Sequence, residues 1–288
     1  MRGYSIWALE CAYMPKYPDS ALLYGASGGE RQLPFVYWIL QSEDHTVLVD
    51  AGMNDGEWCR GQFEAYNVVG FQPPGEVLGR IGVRPEDVDT IVMTHHHFDH
   101  ISGLRYFPNA NVYIQRREVE NWFAKWGVTN RMKWLAGGLD PDTGRELAAI
   151  GGEGRLRMVE GVADVVEGIH VRPAFNSHTE ASQYIVLEPT DGRPWVFTGD
   201  VAYLYDNLGG LDGDGQLVPV GLAQGSQEGL IRATDQILTL AGDRLDRVIP
   251  SHEARLWDLF PSVEHDDGLH VAELTLADGA SSRIGSGS

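Results

Sequence analysis

The sequence predicts an α/β fold built from layers of sheet and helix. Short apolar segments of strand length recur along the 288 residues, and segments with helical apolar spacing stand between them. No internal repeat, low-complexity block or linker interrupts this pattern, so residues 1–279 are predicted to form a single domain. Residues 280–288 are mostly small and polar, which is typical of a disordered tail.

Strands dominate the first half of the chain. Apolar patterning predicts strands at Tyr4–Leu9, Phe35–Leu40, Thr46–Val49 and Thr90–Thr94, and helices at Glu76–Ile81 and Glu118–Lys125. Pro85, followed by Glu86 and Asp87, predicts a first helical turn. The fixed φ of proline suits that position, and the helix dipole favours acidic residues there.

The second half of the chain repeats the alternation of strand and helix. Strands are predicted at Tyr184–Glu188, Trp195–Asp200 and Arg247–His252, and the second of them runs into a tight glycine turn. Ser226 is the expected N-cap of a helix that extends to about Leu240. The buried face of that helix is expected to consist of Leu230, Ile231, Ile237 and Leu238.

Charge and composition argue against two classes of partner. The net charge is −19, and phosphate binding needs a basic surface, so we expect no nucleic acid. A membrane-spanning helix needs a run of about 18 apolar residues, which the sequence lacks, so we expect no membrane partner. The first residues do not resemble a signal peptide, and Cys11 and Cys59 are too few for a disulfide framework. The resulting expectation is a cytoplasmic, reduced setting.

A short run of metal-ligating side chains follows the strand predicted at Thr90–Thr94. The run has the pattern His-x-His-x-Asp-His and consists of His95, His97, Asp99 and His100. Imidazoles and a carboxylate are ligands for a divalent transition metal such as zinc. Because four such groups exceed what one tetrahedral site can take from so short a loop, two neighbouring metals are predicted, one for each consecutive pair of ligands. A solvated polar turn or a tag-like histidine tract does not explain an aspartate at this spacing after a strand.

This run resembles the signature of the metallo-β-lactamase superfamily of hydrolases. The remaining ligands of that family are a histidine at the end of a later strand, an aspartate after a strand and a last histidine near the C-terminus. This chain has His178, Asp200 and His252 in that order, and the resemblance spans residues 36–255. It implies an αββα four-layer sandwich with the metals at one edge, between the sheets.

The resemblance implies two divalent metal ions, with zinc expected and manganese or iron as alternatives. It assigns the first ion to His95, His97 and His178, the second to Asp99, His100 and His252, and the bridging position to Asp200. Two such cations share a water, lower its pKa toward about 7 and present a bridging hydroxide at neutral pH. Asp50 corresponds to a position that orients a ligand from behind, and a simple turn carboxylate is the alternative. His96 is interpreted as a spacer packed behind the loop and not as a ligand.

The segment that follows Asp200 resembles the N-acyl-homoserine lactonase branch of the superfamily. In that branch a tyrosine three residues after the bridging aspartate donates to the substrate carbonyl, and Tyr203 matches this position. An aromatic lid or core residue is the alternative for Tyr203. By the same resemblance, Asp99 passes a proton to the leaving alkoxide. The chain departs from the branch after His178, where His-Thr-Glu-Ala-Ser-Gln stands in place of His-Thr-Pro-Gly-His.

Two segments are candidates for the walls of a substrate pocket. The segment Arg116–Leu135 combines the aromatic side chains of Trp122, Phe123, Trp126 and Trp134 with several cationic ones. It is interpreted either as a pocket wall for an aromatic or carboxylate-bearing ring or as a packed helix with a solvated basic face. Met14–Tyr24 is expected to form a lid, because loops near the mouth of a site often do.

The sequence therefore predicts a dinuclear metal hydrolase that opens a lactone or a similar cyclic ester or amide. A glyoxalase-II-like thioesterase and a phosphodiesterase are the alternative enzymes, although residues 253–278 are acidic where glutathione binding would need a basic patch. A metal-binding scaffold without turnover is the alternative outside enzymes, and retention of all seven ligands argues against it. We expect a small-molecule substrate, with small lactones or cyclic amides preferred over long-chain acyl-homoserine lactones. The oligomeric state is left open, with a homodimer as one option.

Overall fold

Two β-sheets form the centre of the molecule in the computed structural model, which describes residues 3–188 and 192–285. The strands in chain order are β1 Ser5–Pro18, β2 Glu30–Gln41, β3 Thr46–Val49, β4 Thr90–Val92, β5 Asn111–Gln115, β6 Leu156–Val159, β7 Ala163–Val166, β8 Ile169–Phe175, β9 Ala181–Leu187, β10 Trp195–Phe197, β11 Val248–Ile249, β12 Ser262–Glu264 and β13 His270–Thr275. An eight-stranded sheet has the order β12-β13-β1-β2-β3-β4-β5-β6, and a five-stranded sheet has the order β11-β10-β9-β8-β7.

Helices connect the strands. The α-helices are α1 Asp19–Leu22, α2 Glu57–Tyr66, α3 Pro74–Gly79, α4 Phe98–Ile101, α5 Arg116–Trp126, α6 Thr143–Gly152, α7 Tyr205–Gly209, α8 Gln227–Leu240 and α9 Leu256–Leu259. Short 3₁₀ turns lie at Pro85–Asp87, Ser102–Tyr106, Asn130–Ala136, Gly199–Val201 and Leu245–Arg247. Across the described ranges, no helix combines the length and the apolar character that crossing a bilayer requires.

Alternation of side chains along the strands divides the core into layers. On β2, Tyr37 packs in a cluster that also contains buried residues of α2, α3, α5 and α6. Its neighbour Trp38 belongs to a second cluster between the sheets, together with Ile185 of β9. A third cluster covers the opposite face of the smaller sheet, where Val186 packs with Ile237 of α8. The order helix, sheet, sheet, helix confirms the αββα sandwich.

The predicted elements in the first half of the chain are found, but several of their ends differ. β3 has the predicted bounds, whereas β1 and β2 extend much further because they pair with each other as far as Pro18 and Glu30. The turn predicted at Pro85 is a single turn of 3₁₀ helix. Ser226 is confirmed as an N-cap, since its side chain accepts a hydrogen bond from Gly229 N over 3.0 Å.

The C-terminal residues contact the domain at one described position. Arg283 donates through its side chain to Ile81 O (3.1 Å) and through its backbone to Glu273 Oε2 (3.2 Å), and the disordered tail from residue 280 stays a prediction. Residues 286–288 of that tail lie outside the described residues. The single-domain boundary at residue 279 stays a prediction.

The strand directions bring five loops to one edge of the sandwich. β3 and β4 run parallel in the larger sheet, and β10 and β11 run parallel in the smaller one. β9 is antiparallel to both β8 and β10, so β8 has the same direction as β10. Carboxyl ends of strands with one direction meet at one edge of a sheet, so the loops after all five strands lie where a site can form.

Candidate metal centre

The loop after β4 carries the first four candidate ligands. His95 and His97 lie in the loop itself, where His97 has an extended backbone with ψ of 153°. Helix α4 begins at the next residue, so Asp99 and His100 lie in its first turn. The change from extended to helical backbone therefore turns the two ligand pairs in different directions within six residues.

Three later loops bring the other candidate ligands to the same edge. His178 follows β8, Asp200 lies in the 3₁₀ turn after β10, and His252 follows β11. Gly199 has a φ of +51°, and a Cβ at this position would lie 2.6 Å from the Cβ of Thr94. Because only glycine tolerates this close approach, the Gly-Asp pair places the carboxylate directly against the loop after β4.

The imidazoles of His95, His97 and His178 face one another. His97 Nδ1 lies 3.1 Å from His95 Nε2 and 2.8 Å from His178 Nε2. Asp200 Oδ2 completes the group at 3.5 Å from His95 Nε2 and 3.2 Å from His178 Nε2. We call these four residues the first group.

A second group lies on the other side of the same carboxylate. Asp200 Oδ1 is 3.2 Å from His100 Nε2 and 3.3 Å from His252 Nε2. Asp99 Oδ2 is 3.5 Å and 3.7 Å from the same two nitrogens. Each oxygen of Asp200 therefore faces a different group, an arrangement that suits a carboxylate bridging two cations through both of its oxygens. The structure brings together all seven residues singled out in the sequence, and within each group the ligand atoms lie within 4.8 Å of one another.

The two groups fit a pair of divalent cations. Ligand atoms bound about 2.0–2.1 Å from one tetrahedral cation lie about 3.3 Å apart, which is close to most of these separations. His100 Nε2 and Asp200 Oδ1 are buried and have no hydrogen-bond partner among the residues that the structure describes. Buried polar atoms are normally satisfied, so two such atoms 3.2 Å apart fit a site in which both bind the same cation.

Burial keeps the imidazoles of the first group neutral. It lowers the pKa of His95 and of His97 well below the usual range, and that of His178 to about 4. A neutral imidazole offers its lone pair to a cation. Burial acts to raise the pKa of Asp200, but the charge of the neighbouring His100 imidazole opposes this effect most strongly, and that pKa lies well below the usual range. Neutral nitrogen donors around an ionised carboxylate suit a metal such as zinc.

Comparison with known proteins agrees with this geometry. Residues 33–252 match the family described as the metallo-beta-lactamase superfamily. The chain belongs to this superfamily. A curated relative, the N-acyl homoserine lactonase of a Bacillus species, is 27% identical over 185 residues, covering 61% of this chain and 67% of the relative. The N-acyl homoserine lactonase AttM of Azorhizobium caulinodans is 25% identical over 254 residues, covering 81% and 87%.

Solved structures share the metallo-β-lactamase fold. An N-acyl homoserine lactone hydrolase with N-hexanoyl-L-homoserine at its catalytic metal centre has a TM-score of 0.63 at 20% identity, with 88% of this chain and 95% of that chain covered. AidC, a dizinc quorum-quenching lactonase, has a TM-score of 0.64 at 15% identity, with 93% and 94% covered. A probable metal-dependent hydrolase from Staphylococcus aureus has a TM-score of 0.68 at 19% identity, with 88% and 91% covered.

Asp50 supports the metallo-β-lactamase centre from behind. Its carboxylate accepts hydrogen bonds from Thr94 N (2.6 Å) and Thr94 Oγ1 (2.8 Å) and lies 2.7 Å from His100 Nδ1. Its φ of +59° is uncommon for an aspartate and marks a constrained turn. Because Nδ1 of His100 faces this carboxylate, Nε2 is left to face the centre, which favours the orienting interpretation of Asp50. His252 Nδ1 lies 2.9 Å from Pro34 O in the same manner.

Tyr203 lies beside the centre at the wall of a cavity. Its ring centroid is 5.3 Å from that of His252 and 5.7 Å from that of His178. Its hydroxyl donates to Leu222 O over 3.4 Å, which is long for such a bond. Burial raises the pKa of Tyr203 well above the usual range, and the negative charge of Asp200 acts in the same direction. The phenol therefore stays protonated, with only a weak partner for its proton.

The cavity that opens onto the centre has a volume of about 230 Å³. Both groups line its floor, and much of the wall is apolar. Met14, Tyr17 and Leu22 contribute to this wall. They lie in β1 and α1, so the segment Met14–Tyr24 reaches the cavity as strand and helix and not as the loop from which a lid was expected. Within the described part of the chain, no lysine or arginine lines the cavity.

The aromatic and cationic segment contributes less to the cavity than a pocket wall would. Trp134 lines the cavity and is 64% exposed. Trp122 is fully buried and stacks on His96, with ring centroids 5.7 Å apart. For most of this segment, the structure therefore favours a packed helix over a pocket wall. Leu222 and Gln224 also line the cavity, and no motif or spacing in the sequence identifies this loop.

Proposed function

We propose that this chain is a dinuclear metal hydrolase that opens a lactone or a similar cyclic ester or amide. The proposal depends chiefly on one observation: Asp200 presents one oxygen to each of two groups of buried ligands at the base of a cavity. His95, His97 and His178 would hold one ion, and Asp99, His100 and His252 the other. When bound, two such cations supply a hydroxide nucleophile at neutral pH and polarise a carbonyl oxygen.

The residues around the cavity supply the remaining chemistry. Tyr203 keeps its proton and has only a weak internal partner, so it is free to donate to a substrate carbonyl or to the oxyanion that develops from it. Asp99 is the more exposed of the two carboxylates at the centre and lines the cavity. It is therefore placed to accept the proton of the attacking hydroxide and to pass it to the leaving alkoxide as the ring opens.

The cavity supports a compact, neutral substrate. About 230 Å³ is below the roughly 300–1,000 Å³ typical of drug-sized ligands. With no cationic side chain lining the described cavity, an aromatic or aliphatic ring suits the wall better than an acid-bearing one. A phosphodiester would require more cationic groups around the phosphate. The names of the curated relatives support lactones as the class, and acyl-homoserine lactones are the second candidate within it.

A turnover screen tests the proposal. The purified protein with its metals is assayed against small lactones, cyclic amides, thioesters, phosphodiesters and acyl-homoserine lactones of increasing chain length. We expect kcat/KM to be highest for small lactones or cyclic amides. A clear preference for long acyl chains would show that the changed turn after His178 does not alter the choice of substrate. Absence of hydrolysis of every cyclic ester and amide would overturn the proposal. Zinc as the native metal, a cytoplasmic location and a homodimer stay predictions.

A further inference from the structure

Glu118 is a carboxylate buried behind the metal centre rather than in it. It lies in the first turn of α5, is 0% exposed and does not line the cavity. Burying a carboxylate is costly unless several donors satisfy it. The identity of those donors therefore indicates which parts of the structure this residue holds together.

One set of donors comes from the loop after β4. Glu118 Oε1 accepts a hydrogen bond from His96 N over 3.2 Å and also contacts His96 Nδ1. The ring of His96 is fully buried and stacks on Trp122, which lies one turn further along α5. Helix α5 thus holds the residue that lies between His95 and His97. His96 is therefore packed behind the loop, as the sequence predicts, and is the contact point for this helix.

The other donors come from the loop that follows His178 and from the start of β9. Thr179 Oγ1 donates to Glu118 Oε1 over 2.8 Å, and Ala181 N donates to Glu118 Oε2 over 3.0 Å. Thr179 in the loop and Ser182 in β9 also hydrogen-bond to each other. The carboxylate of Glu118 therefore accepts hydrogen bonds from both loops that carry the three imidazoles of the first group.

We propose that Glu118 is a positioning residue that sets the spacing of His95, His97 and His178, and hence the affinity of the first group for its metal. The second group has different supports, Asp50 behind His100 and Pro34 O behind His252. Loss of Glu118 should therefore weaken one metal site selectively. The inference rests on the proposed function only in requiring that both groups bind metal.

The fold should survive loss of this carboxylate, because Gln183 in β9 separately joins this part of the chain to the segment that leads into the loop after β4. Gln183 N donates to Thr94 O over 2.9 Å, and Gln183 Nε2 donates to Met93 O over 2.6 Å. Glu118→Gln keeps the side-chain volume but replaces one acceptor oxygen by an NH2 group, which then faces an N–H or O–H donor of a loop. The repulsion between the two donors should increase the distance between the loops, and the hydrogen bonds of Gln183 should remain.

The test measures cobalt binding to metal-free protein, by competition with a chelator and by the visible spectrum. Wild type should bind two ions in separate steps, and His97→Ala should identify the step that belongs to the first group. Glu118→Gln should weaken that step by about 10-fold or more and alter its spectrum, with the other step unchanged. Glu10→Gln is the matched control, since Glu10 is equally buried but bonds to His270 in β13. It should leave both steps unchanged.

A second, milder variant tests the proposal if Glu118→Gln folds poorly. Thr179→Val removes one donor to Glu118 and should weaken the same step by about threefold to tenfold. Unchanged binding in the folded variants, or equal weakening of both steps, would overturn the positioning role. Failure of wild type to bind two ions would refute the proposed function and this inference together, and it would be seen before any variant is compared.

Discussion

Replacing Tyr203 by phenylalanine separates catalysis from structure at this centre. The change removes only the hydroxyl, and the ring keeps its packing between His178 and His252. The hydroxyl is not a candidate metal ligand, so metal content should not change. If Tyr203 donates to the developing oxyanion, the loss should appear in kcat.

The structure indicates the size of each effect. The bond from Tyr203 to Leu222 O is 3.4 Å long, so its loss should change the free energy of unfolding by no more than about 1 kcal/mol. Loss of one oxyanion donor lowers turnover by about 10²-fold, or about 2.7 kcal/mol in the barrier. Turnover is therefore expected to fall far more than stability.

The assay compares kcat on a small lactone, metal content and thermal stability for wild type and variant. Tyr184→Phe is the control, because Tyr184 is a buried tyrosine in the cluster between the smaller sheet and α8. It should change neither kcat nor metal content. A fully active Tyr203→Phe would show that Tyr203 is structural and would remove the most specific support for the lactonase mechanism.

Three further predictions concern the metals and pH. Protein purified without chelator should contain two metal ions per chain by elemental analysis, and a content that stays at one with full activity would contradict the two-metal arrangement. Asp200→Asn should lower metal content and turnover together, because an amide presents an acceptor to only one of the two groups that the carboxylate faces; retention of both metals would refute bridging. Burial raises the pKa of Glu146 to about 7, so the folded state binds its proton more tightly and stability is lost as pH rises from about 4.5 to 7. Glutamine at this position does not titrate, so Glu146→Gln should not lose stability in this range. The Tm difference between Glu146→Gln and wild type should therefore increase between about pH 5 and pH 8, and a constant difference would contradict the raised pKa of Glu146.

Four of the candidate ligands were predictable from local sequence, because His95, His97, Asp99 and His100 indicate a metal site by residue type and spacing. The other three, His178, Asp200 and His252, were identified by their order in the resemblance to the metallo-β-lactamase superfamily. Strand periodicity also predicted β3 with correct bounds. The lengths of β1 and β2 were underestimated, because pairing partners far along the chain determine where they end.

The tertiary structure decided which side chains surround those ligands. Trp122 lies four residues after Glu118, so helical periodicity places both on the same face of α5. It does not show which loop that face contacts. Packing of α5 against His96 and Thr179 makes Glu118 a link between two loops, and leaves Trp134 as the aromatic residue of its segment at the cavity. The sequence by itself determined the metal-binding chemistry, because it resides in residue types at short spacing. The cavity and the supports of the ligands arise only from packing between distant segments, which local patterns do not encode.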